Sequence, residues 1–506
     1  MSSDDKIVIE TKSGRIKGTC QDNLYIFKGI PYATPPVGEF RWLPPQPLAP
    51  WKGVHRAYTF GPVAPQISGP LGLTQESHIE ESQSEDCLYL NIWSPGLEGP
   101  KRPVMVWIHG GAFKIGSGSS PMYPGTTLAK CGNTVIVSIN YRLGPLGFLH
   151  LKEVTGGRIP ATGNEGLLDQ IAALQWIRDN ISSYGGNPDN VTVFGESAGA
   201  MSIGCLLAMP QARGLFHKAI LQSGSNTVKH LNEAVQIAEL FLNILGLSAG
   251  DVNAIKTLSP EQLLAAQQEL GIKLNIKGSV FEPVVEGELL PEMPIDAVKN
   301  GSADKVAILA GTNLEEAKFM ARADESLTKV DDAGLIRRWQ QILPADLAPG
   351  LIDGYRKAMS QQGRDSSAPE IALALQTAVQ FRIPAIRLVE AQSQNNLPAY
   401  SYLFTWKSPA PNMGACHTID IGFVFGILSA EFNGTGAAAN KLMGQVQDAW
   451  LAFARTGNPS CESLGNWPQY GNRRVTMILG EDCHPEEAPY DAERRAWDPV
   501  PNKFLG

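Results

Sequence analysis

The sequence predicts an α/β fold, a mostly parallel central sheet flanked by helices. Three observations carry the prediction. Apolar runs of buried-strand type recur, among them PVMVWI at 103–108 and VIVSI at 135–139. Stretches with apolar residues three and four positions apart, as over 167–181, mark amphipathic helices. The two kinds alternate along the chain, as parallel strands joined by helical crossovers require.

Between residues 7 and 30, two or three short alternating runs broken at Lys12-Ser13-Gly14 predict an N-terminal hairpin or meander. The strands at 103–108 and 135–139 and the helix at 167–181 come next. Val191-Thr192-Val193-Phe194 is a strand by its β-branched and aromatic content, and 198–207 continues as an apolar helix. Further strands are expected at 218–222, 306–309, 400–404 and 475–479, with helical stretches between them. The Pro-rich run 31–50 is interrupted by Tyr32, Phe40 and Trp42 and is expected to pack. At 506 residues the chain exceeds one simple core, yet no repeat, heptad or linker divides it. One domain over 1–506 is expected, with large insertions forming a cap or regulatory subdomain.

Composition narrows the function classes. The net charge is -8 with scattered charges and no basic stretch, which argues against a nucleic-acid partner. The start, Met1 to Lys6, lacks a signal peptide's basic and apolar regions, and no apolar segment is long enough to span a bilayer. A cytoplasmic location is therefore expected, and the three Asn-X-Ser/Thr matches at Asn180, Asn190 and Asn433 then carry no meaning. Seven cysteines form no CxxC pair or zinc spacing, so free thiols are expected.

Chemistry enters at Gly195-Glu196-Ser197-Ala198-Gly199. Small residues two before and two after a serine permit a sharp strand-to-helix turn that lifts the hydroxyl above a sheet edge. The same pattern recurs at Gly246-Leu247-Ser248-Ala249-Gly250, but a helical stretch precedes it. There a glycine ending one helix and a serine starting the next turn is the expectation. A serine nucleophile needs a base, and histidine titrates near ambient pH. His417, in Gly414-Ala415-Cys416-His417, follows a predicted strand, although spacing alone does not separate it from the other seven histidines. A carboxylate must orient the base. Gly311-Thr312-Asn313-Leu314-Glu315-Glu316 follows the 306–309 strand, and the pattern leaves Glu315 and Glu316 as alternatives. Backbone donors for an oxyanion are expected from His109-Gly110-Gly111-Ala112-Phe113 and from Ala198, with His109 structural. Cys416 is expected to be a small wall residue, since its surroundings hold no nucleophile turn.

With these residues in hand, the chain resembles the type-B carboxylesterases, the family that includes cholinesterases, in a bacterial p-nitrobenzyl-esterase-like form. The resemblance covers nearly the whole length. It rests on Phe27-Lys28-Gly29-Ile30-Pro31-Tyr32-Ala33, Ser84-Glu85-Asp86-Cys87-Leu88-Tyr89-Leu90-Asn91, the 109–113 loop and Asn140-Tyr141-Arg142. Asn164-Glu165-Gly166-Leu167-Leu168-Asp169-Gln170, the 194–199 elbow and Leu221-Gln222-Ser223-Gly224-Ser225 extend it. The family's α/β-hydrolase fold is implied, and so is hydrolysis of small-molecule carboxylic esters of short-to-medium acyl length. The implied triad is Ser197, Glu316 and His417, with Glu315 and Ala317 standing where the family's acid motif has aspartate and glycine. The implied oxyanion donors are Gly111, Ala112 and Ala198, with Ser223 and Glu196 in support. No cofactor or metal is implied, and a monomer or small homo-oligomer is expected. Two departures stand out. Ala64 occupies the position of the cysteine that pairs with the counterpart of Cys87 in secreted relatives, so that disulfide is not expected. Ile67 to Gln83 contains no aromatic residue for a choline-stacking site. An amide or carbamate as the cleaved bond is the alternative chemistry. The family's adhesion proteins with a broken triad are the non-enzymatic one, which the intact triad disfavours.

Overall fold

A computed structural model describes residues 6–67, 82–276 and 278–505. The polar start at residues 1–5 and nearly all of the aromatic-free stretch between Ile67 and Gln83 lie outside the described residues. The strands in chain order are β1 (Lys6–Thr11), β2 (Gly14–Gln21), β3 (Leu24–Pro31), β4 (Val54–Arg56), β5 (Tyr89–Ser94), β6 (Arg102–Ile108), β7 (Val135–Ile139) and β8 (Gly186–Glu196). They continue as β9 (Lys218–Gln222), β10 (Lys229–His230), β11 (Val284–Val285), β12 (Ala307–Asn313), β13 (Ala399–Phe404), β14 (Val475–Leu479) and β15 (His484–Glu487).

Thirteen of these form one sheet in the order β1-β2-β3-β5-β7-β6-β8-β9-β12-β13-β14-β15, with β4 beside β2. From β7 to β14 all neighbours are parallel, and both ends of the sheet are antiparallel. The expected hairpin-like start is β1 to β3. Five strands escaped the sequence reading, the short β4, β10 and β11 together with β5 and β15. β5 carries Asn91 in a short run buried along most of its length, so it shows no alternation. β15 reads His-Pro-Glu-Glu, is exposed throughout and lies on the sheet edge, where proline and charge are tolerated.

Alternation along the central strands feeds two separate cores. In β6, Val104, Val106 and Ile108 join one apolar cluster, while Met105 and Trp107 join the other. In β8, Val191 and Val193 face the first and Phe194 the second; in β12, Ile308 and Ala310 oppose Leu309. Helices including Glu165–Asn180 and Ala198–Ala208 cover the first face, and Ala437–Thr456 covers the second. Trp107 meets Phe194 and Phe425 edge-on, each with ring centroids 4.9 Å apart, beneath the strand ends that carry the site. Such pairs add about 0.5–1.5 kcal/mol each beyond burial. A third cluster, centred on Leu335, Trp339, Tyr355 and Trp497, is formed by the helices inserted between β12 and β13 and by the C-terminal segment.

Candidate active site

Between β8 and the helix Ala198–Ala208 stands a single residue, Ser197. Its backbone adopts φ 55° and ψ −127°, a corner that costs energy outside glycine and turns a strand abruptly into a helix. The flanking glycines are required by close approach. A Cβ on Gly199 would lie 2.0 Å from the Ile108 carbonyl oxygen, and one on Gly195 would lie 2.7 Å from the same atom. The Ser197 N–H donates to the Gln222 carbonyl at the end of β9 (2.9 Å), and its carbonyl accepts from the Met201 N–H (2.9 Å). Ser197 itself is half-buried.

Two adjacent glutamates follow the end of β12. Glu316 is fully buried; its Oε2 lies 2.7 Å from His417 Nδ1, and its Oε1 accepts the Asn313 N–H at 2.7 Å. Glu315 turns the other way, accepting the Ala415 N–H at 2.9 Å and pairing with Lys318 at 2.5 Å. The geometry thus separates two glutamates that the sequence pattern left equivalent. Ala317 opens a short helix outside the left-handed region, so the family's glycine is not needed there.

His417 is buried, and Phe381 packs against its ring with centroids 4.7 Å apart. Phe381 lies in a π-helical turn, Ala378–Arg382, a local widening that periodicity does not signal. The other ring nitrogen, Nε2, lies 3.2 Å from Glu196 Oε1 and makes no hydrogen bond to the Ser197 hydroxyl, a looseness common in unliganded sites. Burial alone would lower the His417 pKa, but the carboxylates of Glu196 and Glu316 overcome it and raise the value to about 9. Burial likewise pushes Glu196 up to about 8, with His417 opposing and Asp420 and Glu316 adding to the rise.

Sequence reasoning missed a polar layer beneath the histidine. Asp420 accepts from Gln222 Nε2 (2.8 Å), Asn313 Nδ2 (3.4 Å) and the Tyr402 hydroxyl (3.5 Å), and Trp450 Nε1 donates to Gln222 Oε1 (3.0 Å). Asn313 also donates to the Cys416 carbonyl at 2.9 Å. Cys416 is buried, and burial first, then Glu316, pushes its thiol up to about 12, which suits the wall residue expected. Ser223 is buried with φ 54° and donates its N–H to the Gly311 carbonyl, but its Oγ has no hydrogen-bond partner among the described residues.

The loop after β6 runs through three successive left-handed residues, Gly111 (φ 114°), Ala112 (φ 53°) and Phe113 (φ 56°). Successive N–H groups in such a run converge on a concavity suited to an anion. A Cβ on Gly111 would lie 2.1 Å from the Ile115 carbonyl oxygen, so only glycine fits. Among the described residues, no acceptor takes the N–H groups of Gly111, Ala112 or Ala198. His109 is structural: it is buried and stacks on Tyr141 at 4.5 Å, and burial lowers its pKa to about 4. Ser248 sits in the turn between the helices Leu231–Ile244 and Val252–Thr257, as expected. Cys87 and Ala64 are both buried, and Cys87 is a free thiol. Among the described residues, no group of three or more His, Cys, Asp or Glu could hold a metal ion, and no helix is long and apolar enough to cross a membrane.

Comparison with known proteins agrees with this geometry. The model of the carboxylesterase family matches residues 5–497. The para-nitrobenzyl esterase of Bacillus subtilis (strain 168) is 40% identical over 500 residues, covering 96% of this chain and 98% of the relative. The cholinesterase of Mus musculus is 34% identical, covering 92% of this chain and 82% of the relative. Among solved structures, a carboxylesterase of Geobacillus stearothermophilus superposes with a TM-score of 0.86 at 39% identity, covering 97% of this chain and 100% of that one. With the fold, the elbow and these matches in agreement, the chain belongs to the carboxylesterase family and is a serine hydrolase of carboxylic esters.

Proposed function

We propose that Ser197 is the nucleophile, His417 the general base and then acid, and Glu316 the residue that holds the imidazole. Ser197 Oγ adds to the ester carbonyl carbon while its proton passes to His417 Nε2. The imidazolium then donates through Nδ1 to Glu316 Oε2, 2.7 Å away. The negative charge gathers on the former carbonyl oxygen, where the N–H groups of Gly111, Ala112 and Ala198 form the oxyanion hole. Each such donor contributes about 2.7–4 kcal/mol to the transition state by the subtilisin side-chain precedent. Collapse expels the alcohol, which takes the proton from His417. Water then repeats the sequence on the acyl-serine and releases the carboxylic acid. Glu196 and Ser223 act in support, Glu196 through its place 3.2 Å from His417 Nε2.

The observation that carries this reading is the bonded His417–Glu316 pair together with a strained serine elbow and three N–H groups that no acceptor claims among the described residues. Substrates are read as small-molecule esters of short-to-medium acyl length, with neither nucleic acid nor membrane as partner. The chain over 1–506 is read as one domain acting as a monomer or small homo-oligomer. Its third apolar cluster, among the inserted helices, suits a cap. Seven free thiols suit a reducing compartment, and a cytoplasmic location belongs to the same reading. Hydrolysis of p-nitrophenyl esters of increasing acyl length, with Ser197→Ala as control, tests it. Turnover that peaks at one length and vanishes in the variant is expected; turnover retained by the variant would move the nucleophile elsewhere.

A further inference from the structure

The parallel strands carry a second concave site at their opposite ends. Lys218 opens β9 and Ala307 opens β12, and the two residues are direct neighbours in the sheet. Lys218 lies beside Thr192, four residues back from the register that pairs Glu196 with Gln222, so about 13 Å of strand separates it from the elbow. An open cavity of about 320 Å3 lies there, lined by His217, Lys218, Asp304, Lys305, Pro398 and Gly457 among others.

The two lysines of this cavity form no ion pair among the described residues, although Asp304 shares the lining and Asp189 acts on His217 from beside it. Lys218 is only 8% exposed, and its ammonium donates to one acceptor, Asn190 Oδ1, although an ammonium has three hydrogens to give. Among the described residues, no carboxylate pairs with Lys218 or with the exposed Lys305. Burial pushes the Lys218 pKa down to about 8, as befits a cation withdrawn from water without a counter-ion. His217 accepts the Val191 N–H on Nδ1 (3.2 Å), and burial first, then the Lys218 charge, lowers its pKa against the opposing Asp189 carboxylate. With Nδ1 accepting, the ring carries its proton on Nε2, a further donor. Asp304 is the only carboxylate of the lining, so the cavity carries one net positive charge.

We propose that this cavity binds a small monoanionic carboxylate, held by Lys218 with Lys305 and His217 and kept singly charged by Asp304. Ester hydrolysis releases molecules of that class, so the enzyme's own acid products are candidate ligands away from the chemistry.

Calorimetric titration with sodium acetate and sodium butyrate, at ionic strength held constant with chloride, tests the site directly. Saturable binding is expected in the wild type. It should weaken at least about tenfold in Lys218→Met, which keeps the aliphatic stem, and severalfold in Lys305→Gln. Both variants should hydrolyse p-nitrophenyl acetate within about twofold of wild type, since neither residue belongs to the catalytic machinery. No binding by the wild type, or equal binding by wild type and variants, would overturn the proposal. So would saturable binding of inorganic phosphate with none of either carboxylate. If Lys218→Met fails to fold, the surface variant Lys305→Gln decides, and an unchanged affinity there would overturn the site.

Discussion

Gly195-Glu196-Ser197-Ala198-Gly199 and Gly246-Leu247-Ser248-Ala249-Gly250 share one five-residue pattern and nothing else. At the first, a Cβ on either glycine would strike the Ile108 carbonyl oxygen, and the serine backbone is forced to φ 55°. At the second, a Cβ on Gly246 meets nothing within 4 Å, and one on Gly250 meets only Ser248 Oγ at 3.4 Å. Ser248 Oγ and its N–H both bond to Asp251 Oδ2, at 2.6 and 2.8 Å, which is a local turn closing on itself. The Ser197 N–H bonds instead to Gln222, on a neighbouring strand. A shared pattern takes its conformation from its setting, here a strand end and a neighbouring backbone at Ser197 and a self-closing turn at Ser248.

The contrast breaks most severely if the serines exchange roles. Ser197→Ala is expected to lower kcat/KM by at least about 10⁴-fold with the fold intact, and Ser248→Ala to leave it unchanged, both measured by steady-state ester hydrolysis. Next comes the acid. Glu316→Gln should lower kcat by about 10³–10⁴-fold, whereas Glu315→Gln, which loses a half-exposed pair with Lys318, should cost less than about threefold. Swapped effects would mean that Glu315 orients the histidine.

Stability sharpens the same comparison. Gly199→Ala drives a methyl into the Ile108 carbonyl and should cost about 3 kcal/mol or prevent folding, while Gly250→Ala should stay within about 0.5 kcal/mol in urea titrations. The smallest expected effect is a shift in pH profile. His417 must be neutral to accept a proton, and its pKa is raised, so kcat/KM should fall as pH drops through a value above the ordinary 6.5. Removing the carboxylate nearest Nε2 lowers the proton affinity of the ring. Glu196→Gln should therefore move that acid limb to lower pH by about one unit, and an unmoved or raised limb would show that Glu196 does not set the His417 proton affinity.

The elbow was legible because its signals are local: β-branched residues before a sharp turn, small residues around a serine, apolar helix after it. The central strands were legible for the same reason. The choice between Glu315 and Glu316 was not, since adjacent residues share every local property and only the family resemblance favoured one. The layer of Asn313, Gln222, Asp420, Tyr402 and Trp450 left no signal, because its members come from five separate segments and meet only after folding. Phe381 was hidden by a π turn that interrupts the helical period on which pattern reading depends. The lack of any hydrogen bond to the Ser223 hydroxyl could be seen only once the strand ends were in place.

The most direct measurement is to label the nucleophile with a fluorophosphonate probe, whose fluoride the attacking oxygen displaces to leave a stable phosphonyl ester, and to locate the adduct by peptide mass spectrometry. One covalent adduct on the peptide holding Ser197 is expected, lost in Ser197→Ala and retained in Ser248→Ala. An adduct on Ser248, on Cys416 or on any other residue, with Ser197 unmodified in active enzyme, would contradict the assignment of the nucleophile.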